Sequence, residues 1–274
     1  MQIGSNPMAQ TAVLALHAAN SARETASERI STGLRVNRAS DDPVGMMVGN
    51  RFKTQITSLA KAIDNVSQGV SMTQIVDSAL SQMVDLLGYM RVSAVAAQSG
   101  SATASDRTGY QDALDAYVDE IDSISDNATW SGTSLMGASS QVDIQSGTES
   151  GNTITINFSK VTASELGINS LSLSSAANAA DAVDDIDSAL ESLSQYQSYM
   201  GAMANVMTTH SDLLTGVSSN YSAAYGNIMN ADLAQETANL AKAQILGDGA
   251  TAMLAQSSSM NQMLVSYLLK SYVG

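Results

Sequence analysis

The stretch from Ser27 to Asn50, SERISTGLRVNRASDDPVGMMVGN, decides how this chain is read. It closes one amphipathic helix, turns, and opens a second. Ile30 is the last apolar residue of the first pattern, and Gly33 follows where a helix C-cap favours a residue free to take positive φ. Arg35 and Arg38 lie in the connection. Asp41-Asp42-Pro43 then brings capping carboxylates and a proline suited to a first helical turn. By spacing alone this is a helix–loop–helix corner, and its weight depends on what flanks it.

Upstream, Met8 to Ile30 carries Ala12, Leu16, Ala19, Ala26 and Ile30 at helical spacing, interrupted by Arg23. Such an alanine-dense helix is marginal alone and needs a partner. Downstream, from Asp41 to about Gln98, apolar residues fall at Val48, Phe52, Ile56, Leu59, Ile63, Val66, Val70, Val76, Leu80, Met83, Leu87, Met90, Ala94 and Ala97, with Thr73 filling one gap. Steps of three and four predict a sustained heptad seam. A helix of this size would be about 80 Å long at 1.5 Å per residue, which implies a rod with partner helices along it.

Beyond a turn cluster at Ser99–Ser105, with Asp106 as N-cap, Tyr110, Leu114, Tyr117, Ile121 and Ile124 predict a shorter helix ending near Asn127. Trp130 then falls in a Gly/Ser-rich loop. Between Val142 and Phe158 the period changes to two, around the turn-rich SGTESGN, which predicts a β-hairpin. Lys160 to Leu173 reads as irregular. Ala176 to about Ile228 is helical again, with a stripe of Ile186, Leu190, Leu193, Met200, Met203, Met207, Leu214, Val217 and Tyr221. A last helix, Leu233 to Tyr267, carries Leu240, Ala243, Leu246, Ala250, Met253, Met260, Leu264 and Tyr267. The apolar end YLLKSYVG suggests burial against something. The fold class expected is mainly α: an elongated antiparallel helical rod, with terminal coiled-coil helices, a long-helix bundle and a small β-hairpin in the middle.

Composition agrees with this and narrows function. Aromatics are only 4% of 274 residues, two prolines leave long helices unbroken, and fifteen methionines supply adaptable packing. The formal charge is −14, and a phosphate-binding basic face is not evident, which argues against a nucleic-acid partner. Residues 1–62 nevertheless hold seven of the twelve basic side chains against four acids. No run approaches the roughly 20 apolar residues of a membrane span. The beginning of the chain lacks the pattern of a cleaved signal peptide. Catalysis has little support: His210-Ser211-Asp212 are neighbours on a helix and diverge, so His210 reads as a satisfied seam histidine. No catalytic residue, cofactor site or metal site is expected.

The wording of the two ends carries a further message. RISTGLRVNRASDDPVGMMVGNRF and NVSQGVSMTQIVDSAL on one side, and ADLAQETANLAKAQILGDGATAMLAQSSSMNQMLVSYL from Ala231 to Leu268 on the other, closely resemble the terminal signatures of bacterial flagellins. The second carries Asp232, Glu236, Leu240, Lys242, Ala243, Gln244, Ile245, Leu246, Ala250, Leu254, Ala255 and Gln256 at the family's positions. The resemblance implies an inner terminal coiled-coil domain from residues 1–44 plus 231–274, with 33–44 as a connecting spoke, and an outer rod domain from 45–230. The short interval Ser159–Ser175 implies that the large outer domains are missing.

The function so implied is a structural subunit that polymerises into the extracellular flagellar filament used for motility, exported without a cleaved signal peptide. The alternative is a hook–filament junction protein of the same superfamily. The partners implied are copies of itself in a helical homo-polymer, an export chaperone, and cap and junction proteins. Candidate subunit-interface residues are Leu16, Ile30, Arg35, Arg38, Leu240, Leu254, Leu264 and Leu268. Around Arg91 and Glu120, where many flagellins meet an innate immune receptor, Tyr89 and Ser93 replace the usual basic residue and leucine, which argues against that recognition.

Overall fold

The computed structural model describes residues 6–273, with the side chains at 268 and 271–273 outside that description. Among the described residues the chain is mainly α. Helix α1 spans Pro7–Thr32, α2 Pro43–Gln98 and α3 Ala104–Asn127. Strands β1 (Thr129–Trp130), β2 (Thr133–Ser134), β3 (Ser140–Gln145) and β4 (Thr153–Phe158) follow, then α4 (Ala176–Met229) and α5 (Leu233–Val273). Two compact units emerge: residues 1–54 with 220–274, and residues 55–219.

In the first unit, the Asn6 side chain caps α1 by accepting from the N–H groups of Met8 and Ala9. Gly33 ends the helix at φ 71°, its N–H donating to the Arg29 carbonyl. The connection is tied to the end of α4 by a short antiparallel bridge between Leu34 and Asn230. There the Arg35 N–H donates to the Met229 carbonyl at 2.6 Å and the Ala231 N–H to the Gly33 carbonyl at 2.9 Å. Further along, Phe52 and Tyr221 bring their rings to 5.6 Å. The first turns of α2 therefore belong with the last turns of α4.

In the second unit, α2 buries Leu59, Ala62, Val66, Thr73, Val76, Leu80, Met83, Leu87, Met90, Ala94 and Ala97, and Gly69 completes the heptad series. The seam is as regular as the sequence predicts, but its phase differs in the first half. Ala62 and Gly69 occupy it, while Ile63 and Val70 are only half-buried; in the first unit Gly49 is buried and Val48 half-buried. The cause is close approach: a Cβ at Gly69 would sit 2.7 Å from Met207 Sδ and 3.2 Å from Ile144 Cγ1. On α4 the buried series is Ala179, Ala182, Ile186, Ala189, Leu193, Met200, Met207 and Leu214, with Leu190 turned half outward. Arg91 faces Asp187 through two bonds of 2.6 and 3.1 Å. With Gly69 beside Met207, this makes α2 and α4 antiparallel.

Helix α3 starts one turn earlier than expected. Thr103 is the N-cap and Asp106 its N3 partner in a reciprocal capping box. Trp130 belongs to a two-residue hairpin, Thr129↔Ser134 and Trp130↔Thr133, turning through Ser131 and Gly132 at φ 51° and 83°. The loop expected there is thus a primed turn. The larger hairpin pairs Val142 with Ile156 and Ile144 with Ile154, and buries Ile144, Ile156 and Phe158. The segment 160–173 has no regular element yet buries Val161, Ala163, Ile168, Leu171 and Leu173. Two of its backbone N–H groups are satisfied from α3: Ala163 donates to Asp122 Oδ1 and Leu173 to Gln111 Oε1, both at 2.7 Å. His210 is satisfied as the sequence suggests, its Nε2–H donating to the Ser146 carbonyl at the hairpin tip at 2.8 Å.

Candidate assembly surface

The pairing of α1 with α5 is antiparallel and its register is pinned at both ends. The Asn6 side-chain amide donates to Ser257 Oγ at 2.6 Å, and Arg29 meets Glu236 at 3.0 Å. Between them lie buried alanines spaced by seven, Ala12, Ala19 and Ala26 on α1 and Ala243 and Ala250 on α5, the α5 series running on to the pinning residues Glu236 and Ser257. Small side chains let the two backbones approach, and a Cβ on Gly247 would lie 3.8 Å from that of Ala19.

A buried alanine brings about 0.8 kcal/mol, against roughly 1.5–3 for a leucine or methionine. The pair is thus a close fit with a thin hydrophobic return. What it leaves out is large. Leu14 on α1, and Ile245, Leu246, Met253, Met260, Met263, Leu264 and Tyr267 on α5, are all exposed. Leu246, Met253, Met260 and Tyr267 are themselves spaced by seven, three positions on from the buried column. That is a second helix-packing stripe with no cover inside this unit among the described residues.

Five of the residues singled out from sequence fall on or beside this surface. Leu16, Ile30, Leu240 and Leu254 are half-buried along the α1–α5 contact, and Leu264 is exposed. The side chain of Leu268 lies outside the described residues. Leu16 and Leu240 border open clefts of about 370 and 820 Å³ that share Arg23 and Gln244. Arg35 and Arg38 have partners within the chain. Arg35 donates to the Ile228 carbonyl at 2.7 Å and pairs with Asp42 at 3.3 Å; Arg38 pairs with Glu28 at 3.2 Å. Donation from the Gly45 N–H, reinforced by Arg35, holds the Asp42 carboxyl below its ordinary range, and the Arg38 and Asn37 N–H groups do the same for Asp41. The sequence reading passed over Leu14 and Met263. The seven-residue spacing of the exposed α5 column was there to be read, but it did not say which face was covered.

No helix among the described residues is long and apolar enough to cross a membrane. Comparison with known proteins gives the surface its context. Residues 3–141 match the model of the bacterial flagellin N-terminal helical region, and residues 183–268 that of the C-terminal helical region. The chain belongs to the bacterial flagellin family. A flagellin from Serratia marcescens is 33% identical over 173 residues, which are 63% of this chain and 49% of that protein. One from Escherichia coli is 34% identical over 154 residues, 56% of this chain and 28% of that one. The chain thus spans half or less of the length of these flagellins. Among solved structures, Bacillus cereus flagellin aligns with a TM-score of 0.50 at 21% identity, over 59% of this chain and 94% of that one. A chain assigned as a flagellar hook-associated protein from Vibrio parahaemolyticus aligns with a TM-score of 0.59 at 16% identity, over 69% of this chain and all of that one. Both likenesses concern the fold alone.

Proposed function

We propose that this flagellin-family chain is the polymerising subunit of an extracellular flagellar filament, exported to its growing end. The observation that carries the reading is the α1–α5 pair. It buries a column of small residues and leaves Leu246, Met253, Met260 and Tyr267 exposed at heptad spacing. Head-to-tail contacts between unlike surfaces that do not close on themselves generate an open helix of subunits. In this reading residues 1–44 and 231–274 form the inner layer and 45–230 the outer. Leu16, Ile30, Leu240, Leu254, Leu264 and Leu268 contribute to contacts between copies. Arg35 and Arg38 set the connection that presents the inner layer. An export chaperone and the cap and junction proteins are the further partners.

The fold likeness to the hook-associated chain supports one second reading, a junction protein that forms a short ring. Seeded elongation separates the two. Purified full-length protein is added to short sheared filaments and followed by sedimentation and electron microscopy. Long fibres are expected; persistent short rings or unextended seeds would overturn the filament reading.

A further inference from the structure

Five methionines are exposed among the described residues, and all five lie in the first unit: Met8, Met47, Met253, Met260 and Met263. In the second unit Met72, Met83, Met90, Met136, Met200 and Met207 are buried. Four of the exposed set gather on the α1–α5 pair. The Asn6–Ser257 bond places Met8 level with the turn of α5 that carries Ser257. Met253 and Met260 stand one turn to either side on the exposed heptad column, and Met263 lies just beyond. Their exposures are 51%, 53%, 42% and 62%. Because α5 continues to Val273 past the start of α1, no part of α1 among the described residues covers Met260 or Met263.

We propose that Met8, Met253, Met260 and Met263 form an oxidation-sensitive set on the free subunit. Modification by a hydroperoxide bars the subunit from the polymer, and the polymer's own contacts shield the set once a copy is incorporated. This rests on the filament reading. The occupant of the exposed column is a second copy of this chain. The argument is continuity: the stripe repeats by seven, parallel to the column that already holds α1, so it fits another helix of the same kind.

The chemistry is a two-electron oxygen transfer. A lone pair on the thioether sulfur attacks the terminal peroxide oxygen, an S–O bond forms as the O–O bond breaks, and the departing oxygen takes the remaining proton to leave as water from hydrogen peroxide or as an alcohol from an organic hydroperoxide. Sulfur is oxidised to the sulfoxide and the peroxide is reduced. The product is polar and chiral where packing calls for a flexible apolar side chain.

The test uses the full-length subunit and hydrogen peroxide at a dose short of complete modification, with sulfoxide occupancy read by peptide mass spectrometry. In the free subunit Met8, Met253, Met260 and Met263 should oxidise well ahead of Met83, Met90, Met136, Met200 and Met207. In assembled fibres the four should be protected. Treated subunits should elongate seeds with a critical concentration raised about tenfold or more, since each buried methionine contributes enough for a factor of that size. Methionine sulfoxide reductases should restore it. A variant with the four replaced by leucine, measured against its own untreated control, should lose less to peroxide than the parent chain does. Equal reactivity in fibre and free subunit, or unimpaired elongation by the oxidised subunit, would overturn the inference while leaving the filament reading intact. Failure of the untreated subunit to elongate seeds would sink the filament reading itself, and the inference with it.

Discussion

At the scale of single residues, Asp42 shows how much of the corner depends on one carboxylate. It accepts from the Gly45 N–H at 2.8 Å and pairs with Arg35. Its folded pKa is depressed, chiefly by that backbone donor. The stabilisation it gives is therefore present above the ordinary carboxylate value of about 4 and fades as pH falls through the lower folded value. Asp42→Asn should unfold at a lower temperature than the parent chain at neutral pH, with the gap closing under acid; a gap that persists unchanged in acid would contradict the assignment. Two glycines make a second case. Gly69 is hemmed in by Met207 and Ile144, so Gly69→Ala gains about 1 kcal/mol of helix propensity but meets an overpacking cost of roughly 1–3, for a net loss of about 1. Nothing lies within 4 Å of a Cβ at Gly88, so Gly88→Ala should raise stability by up to about 1 kcal/mol. Thermal unfolding followed by circular dichroism would show the opposite signs. Neither outcome is visible in sequence, where both glycines sit in the same helical pattern.

At the scale of elements, the heptad period was legible and its phase was not. Val48, Ile63 and Val70 are more hydrophobic than Gly49, Ala62 and Gly69, so a reading by hydrophobicity settles one residue off the line of contact. Side-chain size there is set by how near the neighbouring side chains come. On α5 both the 243–250–257 and the 246–253–260 columns are small or apolar, and the sequence alone could not say which one α1 covers. The short β1–β2 hairpin was hidden because its two-residue strands leave no period to detect, only the Ser131-Gly132 turn. The irregular segment 160–173 was read correctly as lacking an element. Its attachment through Gln111 and Asp122 could not be read, since a polar residue on a helix announces no particular acceptor or donor. The two columns of α5 can be separated by experiment. Ala250→Leu forces extra methylenes into the buried column of the α1–α5 contact and should cost about 1–3 kcal/mol in the subunit itself. Leu246→Ala touches only the exposed column. It should leave the subunit's own unfolding within about 0.5 kcal/mol yet raise the critical concentration for elongation about tenfold.

At the scale of the whole molecule, charge is divided as unevenly as apolar surface. Residues 55–219 carry nineteen acidic against four basic side chains, while the remaining residues carry seven against eight. The whole excess of negative charge therefore belongs to the second unit, and the first unit is close to neutral. In the proposed filament every copy carries a second unit with a net charge near −15, and repulsion between such units opposes the addition of a copy. The repulsion acts over the Debye length, which shrinks from about 30 Å at 0.01 M salt to about 8 Å at 0.15 M. Apolar contact in the first unit has no such dependence over this range. Elongation from seeds should therefore have a critical concentration that falls steeply between these two ionic strengths and then levels off. The same measurement on a chain with several second-unit carboxylates exchanged for amides, such as Asp112, Asp115 and Asp119, should start lower and fall less. A critical concentration indifferent to salt would mean that the acidic units stay beyond each other's reach in the fibre, and that the assembly energy is set by the α1–α5 surfaces alone.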